Sequence, residues 1–505
     1  MKYVLSIDAG TGSVRSVIFN EVGKEVGFYQ IEWEHYKEDG IEGSMNFDYK
    51  KNWNLVLESI NKALQSANLK KEDISAVTSS SMREGIVLYD EQKNEIWAVA
   101  NVDARASQEV KELKENFKGI EEKFYKISGQ TFALGAIPRL LWLKKHKPNI
   151  YSKVRYLTML SDWILFKLSG ILAVEPSNAG TSGIFSLKKR DWESSFLREV
   201  GLKDNILPKV YESGEIIGEV KEELGFKECK VVMGGGDVQL GTLGLGLTNI
   251  GDSALLGGSF WQQIINIPSN TPPPSDMSIR INPHVIKDIS QAEGITFFSG
   301  LIMRWFRDAF GCGKSYKELE ELAKDVPPGS YGIIPIFSDS MKYGKWYHAS
   351  PSFLNLSIDS KLCNIASMFR SLEENAAIVS AINIQKIEEF SNVKNDQIIF
   401  AAGASKGELW SQIVSDVLGK EVIVPVVKEA TSLGGAIYCL NALNVYNSLD
   451  EAVKVMVKYQ KSFLPNMQNH KLYQDISYKF KKAYKKQLEL VDEGVTTSMW
   501  RAPGV

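Results

Sequence analysis

The chain opens with an apolar run, Tyr3 to Ile7, that reads as a buried strand. It ends at Asp8, and small residues follow from Gly10 to Ser13. A second β-rich run covers Val14 to Phe19. Asn20 to Gly23 carries turn chemistry, and Glu25 to Ile31 reads as a third strand. The glycine turn therefore sits inside a β-hairpin and not ahead of a helix. From Lys50 to Ala67 the pattern changes period, with Trp53, Leu57, Ile60 and Leu64 on one helical face.

Ile74 to Thr78 reads as a strand running into the polar stretch Ser79 to Gly85. Ile86 to Tyr89 and Glu95 to Ala98 suggest a hairpin, with Asn101 to Arg105 after it. Helices are expected around Ala106 to Asn116 and Ala136 to Lys145, and Ser161 is expected to cap another. Glu175 to Gly183 reads as a small polar loop, either a binding loop or a plain connection. Val231 to Met233 is a strand that enters three glycines, then Asp237, then a helix-like segment.

Asp252 to Ile267 repeats the opening logic: a strand, a turn at Gly257 to Ser259, a strand. Two such units suggest two related domains, 1–248 and 249–505. In the second, Tyr331 to Phe337 reads as a strand and Cys363 to Phe390 as a long helix. A strand from Ile398 enters the small loop Gly403 to Gly407, ahead of a helix Leu409 to Leu418. Glu421 to Pro425 is a further strand, and Ala430 to Ala442 a helix. The tail, Asp450 to Gln487, is expected to be helical, with Lys479 to Lys486 as a solvated face.

Composition narrows the function classes. The 505 residues are 44% hydrophobic and 24% charged, ordinary for a globular protein. A net charge of −2 argues against nucleic acid or a membrane surface as partner. Cys229, Cys312, Cys363 and Cys439 are scattered without a C-x-x-C pair, so reduced thiols are expected and a zinc site is not. The apolar run before Asp8 is too short for a signal peptide. No stretch is long enough to span a bilayer, so a cytoplasmic location is expected.

Candidate chemistry sits in the turns. A nest of backbone N–H groups at Gly10 to Ser13 can bind an anion. Asp8 beside it can hold hydrated Mg²⁺ over phosphates; Thr11 and Ser13 add hydroxyls, and Arg15 adds charge. The alternative is an ordinary hairpin with a glycine turn. A dinucleotide fingerprint fails, because Arg15 stands where its third glycine belongs and no helix follows. Gly311 to Ser315 ends like a P-loop, but Asp308 occupies the required earlier glycine. Arg83 and Glu84 lie just past a strand end, as hydroxyl-binding groups or as a solvated pair. Asp237 is either a helix cap or a catalytic base. Gly403 to Gly407 would let a flat ring such as adenine approach the backbone, or is a plain connection.

The segments DAGTGSVR, SMREGIVLYD, NVDARA, EPSNAGTSG, GGGDVQLG, GGSFWQQ, ASPSFLNLSID, SLEENAAIVSA, AGASKGELWSQIVSDVLG and TTSMWRAPGV, in this order, resemble the FGGY carbohydrate kinases. That family has the actin–hexokinase–Hsp70 ATPase fold, and the resemblance covers essentially the whole chain. It implies an α/β protein of two ribonuclease-H-like domains with an active-site cleft between them. The first domain would hold substrate, the first phosphate turn and the base. The second would hold the second phosphate turn, the adenosine loop and the helical tail.

The resemblance implies ATP and Mg²⁺ as cofactors. Asp237 would be the catalytic base, and Asp8 would organise Mg²⁺ through water. Gly10, Thr11, Gly12, Ser13 and Arg15 would bind phosphate, with Gly257, Gly258 and Ser259 as the second turn. Gly403, Ala404 and Gly407 align with the adenosine loop. Arg83, Glu84, Asp237 and Gln239 align with contacts to a small polyol or dione. A regulatory protein of the sugar phosphotransferase system and a homodimer are the implied protein partners; nucleic acid and membrane are not. Three positions depart from the family pattern. Ala402 and Asn355 stand where glycine is usual, and Val238 where some relatives have a polyol-binding glutamine. A kinase for xylulose, ribulose, glycerol or erythritol is one alternative, and an actin- or Hsp70-like ATPase clamp another.

Overall fold

The computed structural model of the chain describes residues 2–337, 339–340 and 347–499. The last six residues of TTSMWRAPGV lie outside them. Two mixed sheets carry the structure. In the first, β1 (Tyr3–Ala9), β2 (Ser13–Asn20) and β3 (Glu25–Glu32) form an antiparallel meander. Then β4 (Ile74–Ser81) lies parallel to β1, and β5 (Lys230–Val232) parallel to β4.

The second sheet repeats this plan. Its meander is β6 (Ser253–Gly257), β7 (Trp261–Pro268) and β8 (Ile289–Thr296). Its parallel strands are β9 (Gln397–Ala401) beside β6 and β10 (Glu421–Pro425) beside β9. Antiparallel neighbours need only a tight turn, whereas parallel ones need a crossover. The crossovers are helical: α1 (Tyr49–Ala67) leads to β4, and others lead to the parallel strands of the second sheet. The two glycine turns thus occupy the same place in each half, between the first two strands of the meander.

Alternation along the strands sorts side chains between layers. Leu5 and Ile7 pack with Val56 and Ile60 of α1 in one core. Val4, one position before Leu5, faces the opposite core with Val17, Ala76 and Val232. That second core is shared with α2 (Asp237–Gly244) and a helix of the second half, which contribute Leu240, Leu243, Leu433 and Ile437. Helices of the second half include α3 (Ile365–Ser391), α4 (Glu408–Leu418) and α5 (Ala430–Ala442). α2 and α5 touch backbone to backbone. A Cβ at Gly244 would stand 1.9 Å from the Ala430 carbonyl, and one at Gly434 2.0 Å from the Leu240 carbonyl. Only glycine allows that approach, so α5 docks the second half onto the first.

Three sequence expectations change. Ser161 is inside a helix, Leu160–Ser169, and its hydroxyl accepts from the Asn178 amide; Asp162 supplies the cap by accepting from the Met159 N–H. The stretch Glu175 to Gly183 is largely a short helix, Pro176–Gly180, capped by Glu175. The tail is not one helical run. Between helices Leu449–Met456 and Met467–Asp492, Tyr459–Phe463 pairs antiparallel with β10 and extends the sheet. Its residues from Tyr459 to Ser462 are exposed, so pairing partners and not apolar period decide its conformation. No helix among the described residues is long and apolar enough to cross a membrane.

Candidate active site

Asp8 lies near the end of β1, where register fixes its neighbours: Arg15 on β2 and Ser80 on β4. Opposed residues on adjacent strands share a face. The Ser80 hydroxyl donates to Asp8 Oδ1 at 2.7 Å, and Arg15 Nη1 stands 3.5 Å from Oδ2. Arg15 also donates to Glu429 Oε2 at 3.0 Å, across to the residue that caps α5. Burial raises the Glu429 carboxyl above its usual range even though Arg15 pulls it down.

The first turn is braced from behind. Trp33 Nε1 donates to the Gly10 carbonyl at 3.0 Å, and the Trp33 N–H to the Gly12 carbonyl at 3.1 Å. The Asn101 amide donates to Thr11 Oγ1 at 3.0 Å. Thr11 and Gly12 remain exposed, while Ser13 is buried in β2. In the second turn Ser259 is exposed, and its carbonyl accepts from the Gly300 N–H at 3.2 Å. Gly257 backs onto Ala404 of the short turn Gly403–Lys406 that follows β9, so these two stretches are adjacent. Gly403 is exposed, whereas Gly407 caps α4 and lies against Glu320.

The two departures from glycine have a backbone meaning. Ala402 has φ +73° and Asn355 φ +59°, the left-handed region. Glycine enters that region freely and asparagine tolerates it. Ala402 therefore adopts, at a cost, the backbone that a glycine would.

The other end of the site gathers past β4. Arg83 is 8% exposed and donates to both carboxylate oxygens of Glu293 on β8, at 2.6 and 2.9 Å. Burial works against the Arg83 cation, and Glu293 outweighs it, raising its pKa. Glu84 has φ +61°. Arg139 donates to its carbonyl, and its N–H donates to Thr181 Oγ1 at 3.1 Å. A non-glycine residue persists there only because neighbours fix it. Arg280 donates to Glu84 Oε1 at 2.6 Å and to Gln130 Oε1 at 2.7 Å. Burial disfavours the Glu84 carboxylate, but Arg280 and Arg83 hold its carboxyl below the ordinary range.

Asp237 is the first residue of α2; the cap position belongs to Gly236. Gly234 presses on β4, where a Cβ would stand 1.7 Å from the Ser79 carbonyl. The Gly236 N–H donates to Ser177 Oγ at 2.9 Å, and Ser177 donates to Glu175 Oε2 at 2.7 Å. The Asp237 carboxylate accepts the Val238 N–H at 2.8 Å and lies 3.9 Å from Arg83 Nε, with 35% of its side chain open. Burial pushes its carboxyl up to about 7; Arg83 opposes this, and Asp8 adds to it. A carboxyl that changes protonation near neutrality beside a cation can take a proton from a hydroxyl. Two residues on, Gln239 is fully buried, and neither its amide oxygen nor its amide nitrogen has a protein partner.

The structure thus places the expected residues in two groups, one at the glycine turns and one past β4, with Asp237 electrostatically coupled to Asp8. Sequence reasoning missed Glu293, Arg280, Gln130, Glu429, Arg139 and Gly300. Glu293 had a readable signal, the one charged residue of its strand. It is 1% exposed, and a buried charge demands a partner.

Residues 3–244 match the N-terminal domain of the FGGY family of carbohydrate kinases, and residues 275–443 match its C-terminal domain. The chain belongs to the FGGY family of carbohydrate kinases. As an FGGY kinase it is a phosphotransferase that acts on an alcohol group. It is 51% identical to a Klebsiella pneumoniae subsp. pneumoniae protein named autoinducer-2 kinase, over 100% of this chain and 98% of that one. The Salmonella typhimurium protein of that name is 50% identical with the same coverage. Among solved structures, the ligand-bound xylulose kinase of Lactobacillus acidophilus superposes with a TM-score of 0.85 at 20% identity, covering 96% of this chain and 98% of that one. Plasmodium falciparum glycerol kinase with ADP gives 0.86 at 16%, covering 97% and 98%. These likenesses establish the two-domain actin-like ATPase fold.

Proposed function

We propose that this FGGY kinase transfers the γ-phosphoryl group of ATP to the terminal hydroxyl of autoinducer-2, 4,5-dihydroxypentane-2,3-dione, giving phospho-autoinducer-2 and ADP. The observation that carries the substrate is identity of about half, over whole chains, to proteins named autoinducer-2 kinase. The observation that fits it chemically is the hydroxyl-binding end: Arg83, Glu84, Asp237 and the unpartnered amide of Gln239. An ATPase clamp has no use for such a pocket.

ATP would lie across the cleft, its phosphates on Gly10–Ser13 and Gly257–Ser259, its adenosine against Gly403 and Ala404. Gly407 contributes by starting α4 and not by facing the ring. Asp8 would hold Mg²⁺. Its carboxylate fits that ion, since Ser80 orients Oδ1 while Arg15 reaches Oδ2 only at 3.5 Å. Among the described residues no group of three or more acidic, histidine or cysteine side chains forms a metal cage. The remaining oxygen ligands would therefore come from nucleotide and water, the usual arrangement for Mg²⁺. When bound, the ion neutralises charge on the phosphates.

The transfer itself balances simply. The acceptor oxygen forms a bond to Pγ, the bond from Pγ to the bridging oxygen breaks, and ADP leaves. The hydroxyl proton passes to Asp237, which must be ionised to take it. Arg15 and the turn amides would stabilise charge on the transferred group. The test is stoichiometric: one phosphorylated dione per ADP released, with release stimulated by the dione. ADP release that no candidate hydroxyl compound stimulates would overturn the reading.

A further inference from the structure

Two charged groups past β4, Arg83 and Glu84, are each paired with an opposite charge from the second half of the chain. Arg83, from the first half, spends a terminal N–H of each η nitrogen on Glu293 of the second, at 2.6 and 2.9 Å. Its Nε faces Asp237 at 3.9 Å. Glu84, also from the first half, is met by Arg280 at 2.6 Å. Arg280 lies on the short strand Arg280–Pro283, directly opposite Glu293 on β8 in the sheet register. The second half therefore presents an adjacent cation and anion, each matched to an opposite charge of the first half. Gln262 supports the arrangement by donating to Glu293 Oε1 at 3.3 Å.

We propose that Glu293 and Arg280 set the charge class of the acceptor, admitting uncharged polyhydroxy compounds and rejecting carboxylates and amines. The physical reason is the cost of an unpaired charge in a buried pocket. With both pairs intact, Arg83 and Glu84 offer hydrogen bonds but no net charge to the substrate. A carboxylate entering would have to displace Glu293 from a bidentate contact, the stronger geometry for a guanidinium. An ammonium would have to displace Arg280 in the same way. Neutral hydroxyls need displace neither. This inference rests on the proposed kinase reading for the location of the acceptor, but not on which neutral acceptor is natural.

The pairs make predictions of opposite sign. Glu293→Gln removes the carboxylate that takes both η nitrogens of Arg83, leaving only the more distant Asp237 and Glu84 as counter-charges. Gluconate should then bind at least about tenfold more tightly than to the unaltered protein, and turnover of the neutral acceptor should fall. Arg280→Gln removes the cation that donates directly to Glu84, and 3-amino-1,2-propanediol should gain by a similar factor. Arg280 keeps 29% of its side chain exposed, so its variant remains informative should Glu293→Gln fail to fold. Binding is read by calorimetry on the full chain with ADP present, and the affinity for ADP reports an intact nucleotide end. Gluconate gain in the first variant alone and aminopropanediol gain in the second alone is the expected result. Unchanged affinity for both charged ligands in the folded variants would overturn the proposal. If the unaltered protein bound neutral polyols and dione but never phosphorylated them, the kinase reading would fall instead.

Discussion

Ser177 Oγ accepts the backbone N–H of Gly236 at 2.9 Å, and Gly236 immediately precedes Asp237. The same hydroxyl donates to Glu175, which also takes a hydrogen bond from Ser213 at 2.8 Å. The short helix after Glu175 thus holds the turn that carries Asp237. Ser177→Ala removes the acceptor and leaves a buried N–H unsatisfied, a loss of about 1–3 kcal/mol in stability. The kcat should fall by about tenfold through misplaced geometry, while KM for ATP stays put. Thermal unfolding and a two-substrate kinetic series check both parts.

Asp237 carries the proton transfer in this scheme. Its carboxyl sits at about 7, so below that pH it is protonated and cannot act as base. The kcat/KM for the acceptor should therefore rise with pH through about 7 and level off above it. Asp237→Asn should lower kcat by roughly 10²–10⁴ and abolish that limb, while ATP still binds. A pH–rate series on both proteins measures it. An unchanged limb in the variant would assign the titration to another group.

Gly403 has open space around it. The nearest atom a Cβ would meet is the Gly257 carbonyl oxygen at 3.9 Å. Gly403→Val should therefore fold normally and raise KM for ATP, with the acceptor's KM little changed. If ATP affinity is unaffected, adenosine lies elsewhere.

The helix crossing makes a stability prediction. Gly434→Ala places a methyl 2.0 Å from the Leu240 carbonyl of α2. Overpacking of this kind costs about 1–3 kcal/mol. Because α2 begins with Asp237, kcat should fall together with the melting temperature.

Much of this was legible in the chain. The hairpin around Gly10–Ser13 and its echo at Gly257–Ser259 are local patterns, and both appear as strand–turn–strand units in matching sheets. Asp8, Arg83, Glu84 and Asp237 stood out as candidates because each lies at or just past a strand end. The partners were not. Glu293 meets Arg83 from 210 positions away and Arg280 meets Glu84 from 196, separations that periodicity cannot register. Ser161 misled because a serine ahead of a helical run has the chemistry of a cap, yet here its hydroxyl serves a buried network with Asn178. Tyr459–Phe463 misled because an edge strand with exposed side chains owes its conformation to the neighbouring strand.

The most direct test of the central claim is one kinetic panel. The kcat/KM with saturating ATP is measured for 4,5-dihydroxypentane-2,3-dione, glycerol, xylulose, ribulose and erythritol under one set of conditions. A site built to bind particular hydroxyls rejects compounds that misplace them by large factors, about 10⁴-fold where the bond is lost altogether. The dione should exceed each of the others, and an analogue lacking its terminal hydroxyl should give no product. A preference of about tenfold or more for glycerol, xylulose, ribulose or erythritol would contradict the assignment of autoinducer-2 as substrate.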